Sequence, residues 1–301
     1  MEEDGKMKIK GELAIVTGAS SGIGLTVTRD LAARGAKVAM LARQRARLEK
    51  ARRSLGSHAK SCVIYPCDVG NWQVVQATMK QISKAHGRPS ILVNNAGITK
   101  LTPFAEMKPE EMEAIVRTNL LGVLNCTRAA LIPMRAARHG VIVNVGSVAG
   151  LIAVPLMSVY AATKWALTGL TESLNAELAS EGIHVGVVCP AMVETPLMVR
   201  EEERTGFSVP EAMTLKPETV SKAILEVITK ERDMIVVPRA LGAIAAMRPT
   251  VYWVSWKSES GVPNWMRSTT YSAVFSSAAW ASPQARPPVW RRPAAKPAIC
   301  R

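Results

Sequence analysis

From Glu12 to about Pro238 the chain alternates short, apolar, β-branched runs with longer segments of helix-like periodicity. Seven runs predict strands: Leu13–Thr17, Lys37–Ala42, Ser61–Pro66, Ile91–Asn94, Val141–Val145, His184–Val188 and Met234–Val237. Most are apolar throughout rather than alternating, the pattern of strands covered on both faces of a parallel sheet. The segments between them have helix punctuation: Gly35 and Gly182 each follow a helical stretch, and Lys216-Pro217-Glu218 opens another. Strands joined by helices need right-handed crossovers. The expectation is a doubly wound, Rossmann-type α/β fold, a three-layer sandwich around a mostly parallel seven-stranded sheet. Ligands of such sheets bind beyond the carboxyl ends of the strands, where the strand order reverses.

The pattern lapses after about Arg248. Residues 257–301 contain six of the chain's 18 prolines, with many Ser, Ala and Arg and no sustained period. Too little apolar area is available there to offset the entropy of ordering the chain. The expected organisation is an N-terminal extension over residues 1–10, one catalytic domain over 11–250 and a basic, Pro/Trp/Ser-rich, disordered tail over 251–301. Arg239–Trp256, which mixes apolar residues with Arg248 and two tryptophans, reads as a core-packing helix. A segment resting on a bilayer or lining a lipophilic pocket is the alternative.

Charge changes this picture little. Of the formal net charge of +14, half falls in residues 248–301, which hold eight Lys/Arg and one acid. The remainder is diffuse, with mild attraction for anionic ligands such as nucleotides, and no nucleic-acid motif accompanies it. The five cysteines form no Cys-x-x-Cys pair and the four histidines lack ligand spacing, so neither a disulfide framework nor a metal site is expected. No run of about 18 apolar residues suits a membrane-spanning helix. The N-terminus has no apolar stretch after its charges, so no export signal is read and a cytoplasmic location is expected.

Chemistry enters at the strand ends. The first strand runs into Thr17-Gly18-Ala19-Ser20-Ser21-Gly22-Ile23-Gly24 and then a helix. Residues without a Cβ permit a tight turn, and the backbone can approach a pyrophosphate at the helix N-terminus. At the end of the fourth strand, Asn94-Asn95-Ala96-Gly97 lets the backbone pass beside a ribose. Asp68, near the end of the third strand, can accept from an adenine amine, with the Val69 amide for the ring; it could equally cap the next helix. Ser147 closes the fifth strand, and Tyr160 and Lys164 share one face of the following helix at i and i+4. A phenol of pKa about 10 is a poor base at neutral pH. The nearby ammonium should favour the phenolate, so that Tyr160 exchanges a proton with a substrate oxygen oriented by Ser147.

With these motifs in this order, residues 10–240 resemble the short-chain dehydrogenase/reductase superfamily. The resemblance implies a fourth catalytic residue, Asn119 in Arg117-Thr118-Asn119-Leu120, supporting a water relay through Lys164. It also implies that Lys164 holds the nicotinamide ribose, beside Tyr160. Family members carry Pro-Gly and then a Thr near the carboxamide after the sixth strand. Here the segment is Pro190-Ala191-Met192-Val193-Glu194-Thr195, an Ala in place of Gly, and Pro190, Val193 and Thr195 are the expected contacts.

The cofactor is read after the second strand. Ala42-Arg43-Gln44 has no carboxylate for the two ribose hydroxyls of NAD, while the Arg43 guanidinium suits a 2′-phosphate. NADP(H) is therefore favoured over NAD(H). The uncharged loop Val148–Val159 and the residues Met192, Leu197, Met198, Phe207, Met213 and Leu215 point to an apolar substrate, or else to core packing. The expected activity is hydride transfer between NADP(H) and the carbonyl or alcohol of a lipophilic small molecule, in the reductive direction. A catalytically silent NADP-binding regulator is the alternative. The resemblance further implies a homodimer or homotetramer built on the long helices around 108–135 and 158–181.

Overall fold

In the computed structural model, residues 7–206 and 214–242 are described. All seven expected strands form, with ends shifted by at most two residues. They are β1 (Leu13–Thr17), β2 (Lys37–Ala42), β3 (Cys62–Pro66), β4 (Ile91–Asn94), β5 (Gly140–Val145), β6 (Ile183–Pro190) and β7 (Met234–Val237). They make one sheet in the order β3-β2-β1-β4-β5-β6-β7. Every pairing is parallel, so the sheet is parallel throughout rather than mostly so. The chain builds outward from β1 to β3, returns to the middle at β4 and builds the other way. A crevice is thereby left beyond the ends of β1 and β4.

The helices follow from the punctuation. Helix α1 (Gly22–Ala33) ends just before Gly35, and α2 (Arg45–Ser54) and α3 (Trp72–His86) cover the β2–β3 side. Helices α4 (Pro109–Val116) and α5 (Gly122–Ala137) are joined by a π turn over Arg117–Leu121. Helix α6 (Ser158–Leu178) follows β5, α7 (Pro196–Thr205) follows β6, and α8 (Pro217–Lys230) starts with its proline in the first turn. Gly182, after α6, has φ +72, a conformation costly for residues with a Cβ.

One large apolar cluster packs α1, α2 and α8 on one face of the sheet; another packs α3, α5 and α6 on the other. Residues of one strand feed both: Ala14 and Val16 go to the first cluster, Leu13 and Ile15 to the second. This explains the unbroken apolar runs. Met7 and Ile9 are buried in the first cluster, so the packed unit begins earlier than the expected start at residue 11. Past β7 a single 3₁₀ turn, Arg239–Leu241, is followed by Gly242. The readings for residues 251–301 and for the rest of Arg239–Trp256 lie outside the described residues. Among the described residues no helix is long and apolar enough to cross a membrane.

Candidate active site

The crevice is stitched together by side chains at the ends of its two central strands. Thr17 Oγ1 accepts the amides of Asn95 (2.9 Å) and Ala96 (3.0 Å), and Asn95 Nδ2 donates to the carbonyl of Thr17 (3.0 Å). Gly18 and Gly22 have positive φ, +65 and +52. A Cβ on Gly18 would lie 2.8 Å from Asn95 Nδ2, and one on Gly24 would collide with the carbonyl oxygen of Gly18. Glycine is therefore required sterically, because α1 starts in contact with the β4 turn. Ser21, at the N-cap of α1, makes no capping bond through its side chain, and the first turn holds no acid. The helix thus presents N–H groups and Ser20–Gly24 backbone to an anion. The cradle fits a dinucleotide pyrophosphate. Thr195 sits beside it, since a Cβ on Gly22 would approach Thr195 Cγ2 to 3.1 Å.

Asp68 is not the cap of α3. Its Oδ1 accepts the amide of Gly70 (3.0 Å), while Asn71 caps the helix by accepting from Val74 (3.1 Å). Asp68 also faces Arg117 at 3.6 Å and remains partly exposed, and Asn125 holds the carbonyl of the buried Val69. Arg43 is exposed just beyond β2, and among the described residues no ion pair engages it.

Ser147, Tyr160, Lys164 and Asn119 converge. Ser147 Oγ accepts from the amide of Ala149 (3.1 Å) and hydrogen-bonds the Tyr160 side chain. Lys164 Nζ lies 5.5 Å from the centroid of the Tyr160 ring and donates to the carbonyl of Val145 (2.7 Å). Asn119, in the π turn, is fully buried. It grips Ile98 twice: Oδ1 accepts its amide and Nδ2 donates to its carbonyl, both at 2.8 Å. Nδ2 also reaches Thr163 Oγ1 (3.4 Å), which donates to the carbonyl of Tyr160 (2.7 Å). Such π turns recur at functional sites. This one was not legible in the sequence, where residues 108–135 read as continuous helix.

The electrostatics correct one expectation. Tyr160 is not pulled toward phenolate: burial pushes its pKa up to about 12, outweighing the Ser147 hydrogen bond. Burial also lowers Lys164 from the usual 10.5 to about 8. Both groups are desolvated, and desolvation penalises each charged form more than the pair is repaid at this separation.

The Lys164 shift has a consequence for stability. A lysine whose folded pKa lies below its unfolded value costs stability fully below the folded value, about 8. The cost fades as pH rises toward 10.5. The thiols of Cys62 and Cys67, raised by burial, act oppositely above about pH 9. Measured against a Lys164→Met variant, cofactor-free protein should therefore gain about 1 kcal/mol between pH 7 and 9. Denaturant melts at the two pH values test this; parallel behaviour of the two proteins would show that Lys164 is not desolvated as described.

The apolar residues divide. Met192 and Met198 join Leu101, Val154 and Met157 in a cluster that includes Tyr160. Val148, Leu151 and Ile152 pack instead against β6 and β7, and Leu215 joins the large core. Leu197 is half-buried outside these clusters, while Phe207 and Met213 lie outside the described residues. Leu101 was not anticipated: a lone leucine in a loop leaves no periodic signal.

A doubly wound sheet with a glycine cradle at its switch point, and a Ser/Tyr/Lys/Asn constellation beside it, defines a dinucleotide-linked oxidoreductase. The chain belongs to the short-chain dehydrogenase family, whose model matches residues 12–206. It is 35% identical over 233 residues to the 3-oxoacyl-[acyl-carrier-protein] reductase FabG of Vibrio cholerae, covering 76% of this chain and 94% of the relative. A variant of actinorhodin polyketide ketoreductase with NADPH superposes with TM-score 0.72 at 30% identity, over 79% of this chain and 99% of that one. The 3-ketoacyl-(acyl-carrier-protein) reductase of Brucella melitensis, complexed with NADH, gives 0.70 at 29% identity, over 77% and 99%. The protein is thus an oxidoreductase of this family.

Proposed function

We propose that the protein is an NADP(H)-dependent reductase of an apolar carbonyl compound, with Tyr160 as the proton donor. The observation that carries this reading is a phenol kept neutral by burial, hydrogen-bonded to Ser147 and packed against the Leu101, Val154, Met157, Met192 and Met198 cluster. A neutral phenol at pH 7 is the species that can protonate a carbonyl oxygen. NADPH, when bound, supplies the hydride to the carbonyl carbon. Tyr160 gives its proton to the oxygen, and Ser147 orients that oxygen. Lys164 holds the ribose hydroxyls, and the Asn119 side chain, committed to Ile98, leaves its backbone for any relay contact. Gly18, Ser20, Ser21, Gly22, Ile23 and Gly24 take the pyrophosphate, and Arg43 the 2′-phosphate. Asp68 and Val69 take the adenine, Asn95, Ala96 and Gly97 flank the ribose, and Pro190, Val193 and Thr195 border the carboxamide.

The relatives support this reading, being reductases by name, one of them with NADPH; the NADH complex makes the coenzyme choice one for kinetics. A complete Ser147/Tyr160/Lys164/Asn119 set argues against a silent regulator. Self-association is part of the proposal. Leu121, Leu124, Arg128 and Ile132 lie at three- and four-residue spacing along α5 and the turn before it, with the three apolar members exposed. The test is NADPH oxidation by purified protein against ketones of graded chain length. Turnover should rise with apolar length, and an absence of turnover across the series would overturn the substrate reading.

A further inference from the structure

Helix α7 is short and mostly solvated. Of its ten residues only Met198 and Glu201 are buried. Met198 belongs to the apolar cluster at Tyr160, whereas Glu201 is a carboxylate only 8% exposed. Its Oε2 accepts the backbone amide of Leu101 at 2.8 Å, across 100 residues of sequence. Arg204, one turn on, donates to the same Oε2 (2.5 Å) and to the carbonyl of Leu101 (2.7 Å). One ion pair therefore takes both main-chain groups of Leu101. The Leu101 side chain stands in the same cluster as Met198, Met157 and Tyr160. The neighbouring Thr102 amide is bonded to the carbonyl of Leu156 (3.0 Å). The loop after β4 is thus pinned on one side to α7 and on the other to the stretch that precedes α6.

We propose that Glu201 and Arg204 form a clasp that sets the width of the apolar cleft over Tyr160, making them specificity-determining positioning residues; the substrate part rests on the reading of an apolar carbonyl compound. Leu101 and Met198 stand in one apolar cluster with Tyr160, and the clasp ties together the two segments that carry them. An isolated ten-residue helix is marginal in water. With one apolar anchor, α7 depends on the second, polar one for its seat. A carboxylate does what an aliphatic side chain could not, since it satisfies an irregular segment's amide and recruits a guanidinium for the carbonyl. Substrates short enough to need contact with both Leu101 and Met198 should feel the clasp most, while long apolar chains span a loosened cleft.

The test uses the full chain. In Glu201→Ala, amide hydrogen exchange over residues 98–102 and 196–206 should rise together by about tenfold, with the β4 and β5 amides unchanged. Arg204→Ala should affect the same two segments. Glu201→Gln, whose amide oxygen can still accept both donors, should stay within about threefold of the parent. With NADPH, Glu201→Ala should raise KM for a short ketone about tenfold with kcat little altered and long ketones little affected, and so steepen the preference for longer chains. Unchanged exchange in both segments would overturn the clasp, as would loosening of the whole core in Glu201→Ala together with the loss of any rescue by glutamine. If the parent reduces no apolar ketone, the substrate reading fails while the exchange measurement still decides the clasp.

Discussion

Tyr160→Phe should lose about 10²- to 10⁴-fold in kcat while binding NADPH as the parent does, because it removes the proton donor and, besides it, only the hydrogen bond to Ser147. The ring stays in the Leu101, Val154, Met157, Met192 and Met198 cluster. Ser147 keeps its bond from the Ala149 amide, and Lys164 keeps its bond to Val145, so no neighbour is left stranded. The same neutrality that makes Tyr160 a donor makes the substitution quiet for the fold: no charge is removed from the buried site at pH 7. Steady-state reduction and NADPH fluorescence titration on both proteins check this. Near-parental turnover would remove Tyr160 from the mechanism. Parallel loss of turnover and NADPH binding would mean that the hydroxyl holds the cofactor instead.

The second large effect concerns the coenzyme. A charge-assisted contact from Arg43 to a 2′-phosphate contributes about 1.5–3 kcal/mol, roughly 10- to 150-fold in favour of NADPH over NADH. Arg43 is exposed and engaged by no ion pair among the described residues, so it is available for that contact. Arg43→Ala should erase most of the preference and leave NADH use nearly unchanged. Ala42→Asp should reverse it, since a carboxylate at the end of β2 repels the phosphate and accepts both ribose hydroxyls. Kinetics with both coenzymes decide the matter. A parent that prefers NADH would overturn the assignment, and unchanged selectivity in Arg43→Ala would move the contact to Arg47 or Ser21.

Much of this architecture is local and therefore legible in the chain. Strands of a parallel sheet buried on both faces need continuous apolar runs, and helices need stops such as Gly35 and starts such as Pro217. Short periodic signals of this kind predicted all seven strands. The glycine turn was readable for a similar reason: only residues without a Cβ fit where α1 meets the β4 turn, so the constraint is written in residue type. Tyr160 and Lys164 share a helix face because i and i+4 always do.

What the tertiary structure decided depends on residues far apart in sequence. The sign of the Tyr160 shift is one case, since the i,i+4 ammonium suggests a lowered pKa and only the packing around α6 reveals that desolvation wins. The π turn at Asn119 is another: nothing in Arg117–Leu121 announces it, and the buried Asn119 side chain is committed to Ile98, 21 residues away. Capping of α3 by Asn71 rather than Asp68 was open until backbone geometry chose between two acceptors three residues apart. The division of the apolar loop residues between core and cleft was likewise open, because hydrophobicity gives burial but not the partner. The link from Glu201 to Leu101 spans 100 residues, and the first of three consecutive glutamates carries no sign of it. Sequence determined the sheet, the cradle and the roster of reactive groups, since each follows from short-range sterics and periodicity. The protonation of those groups, and the walls that enclose a substrate, follow from burial, which exists only once distant segments have packed.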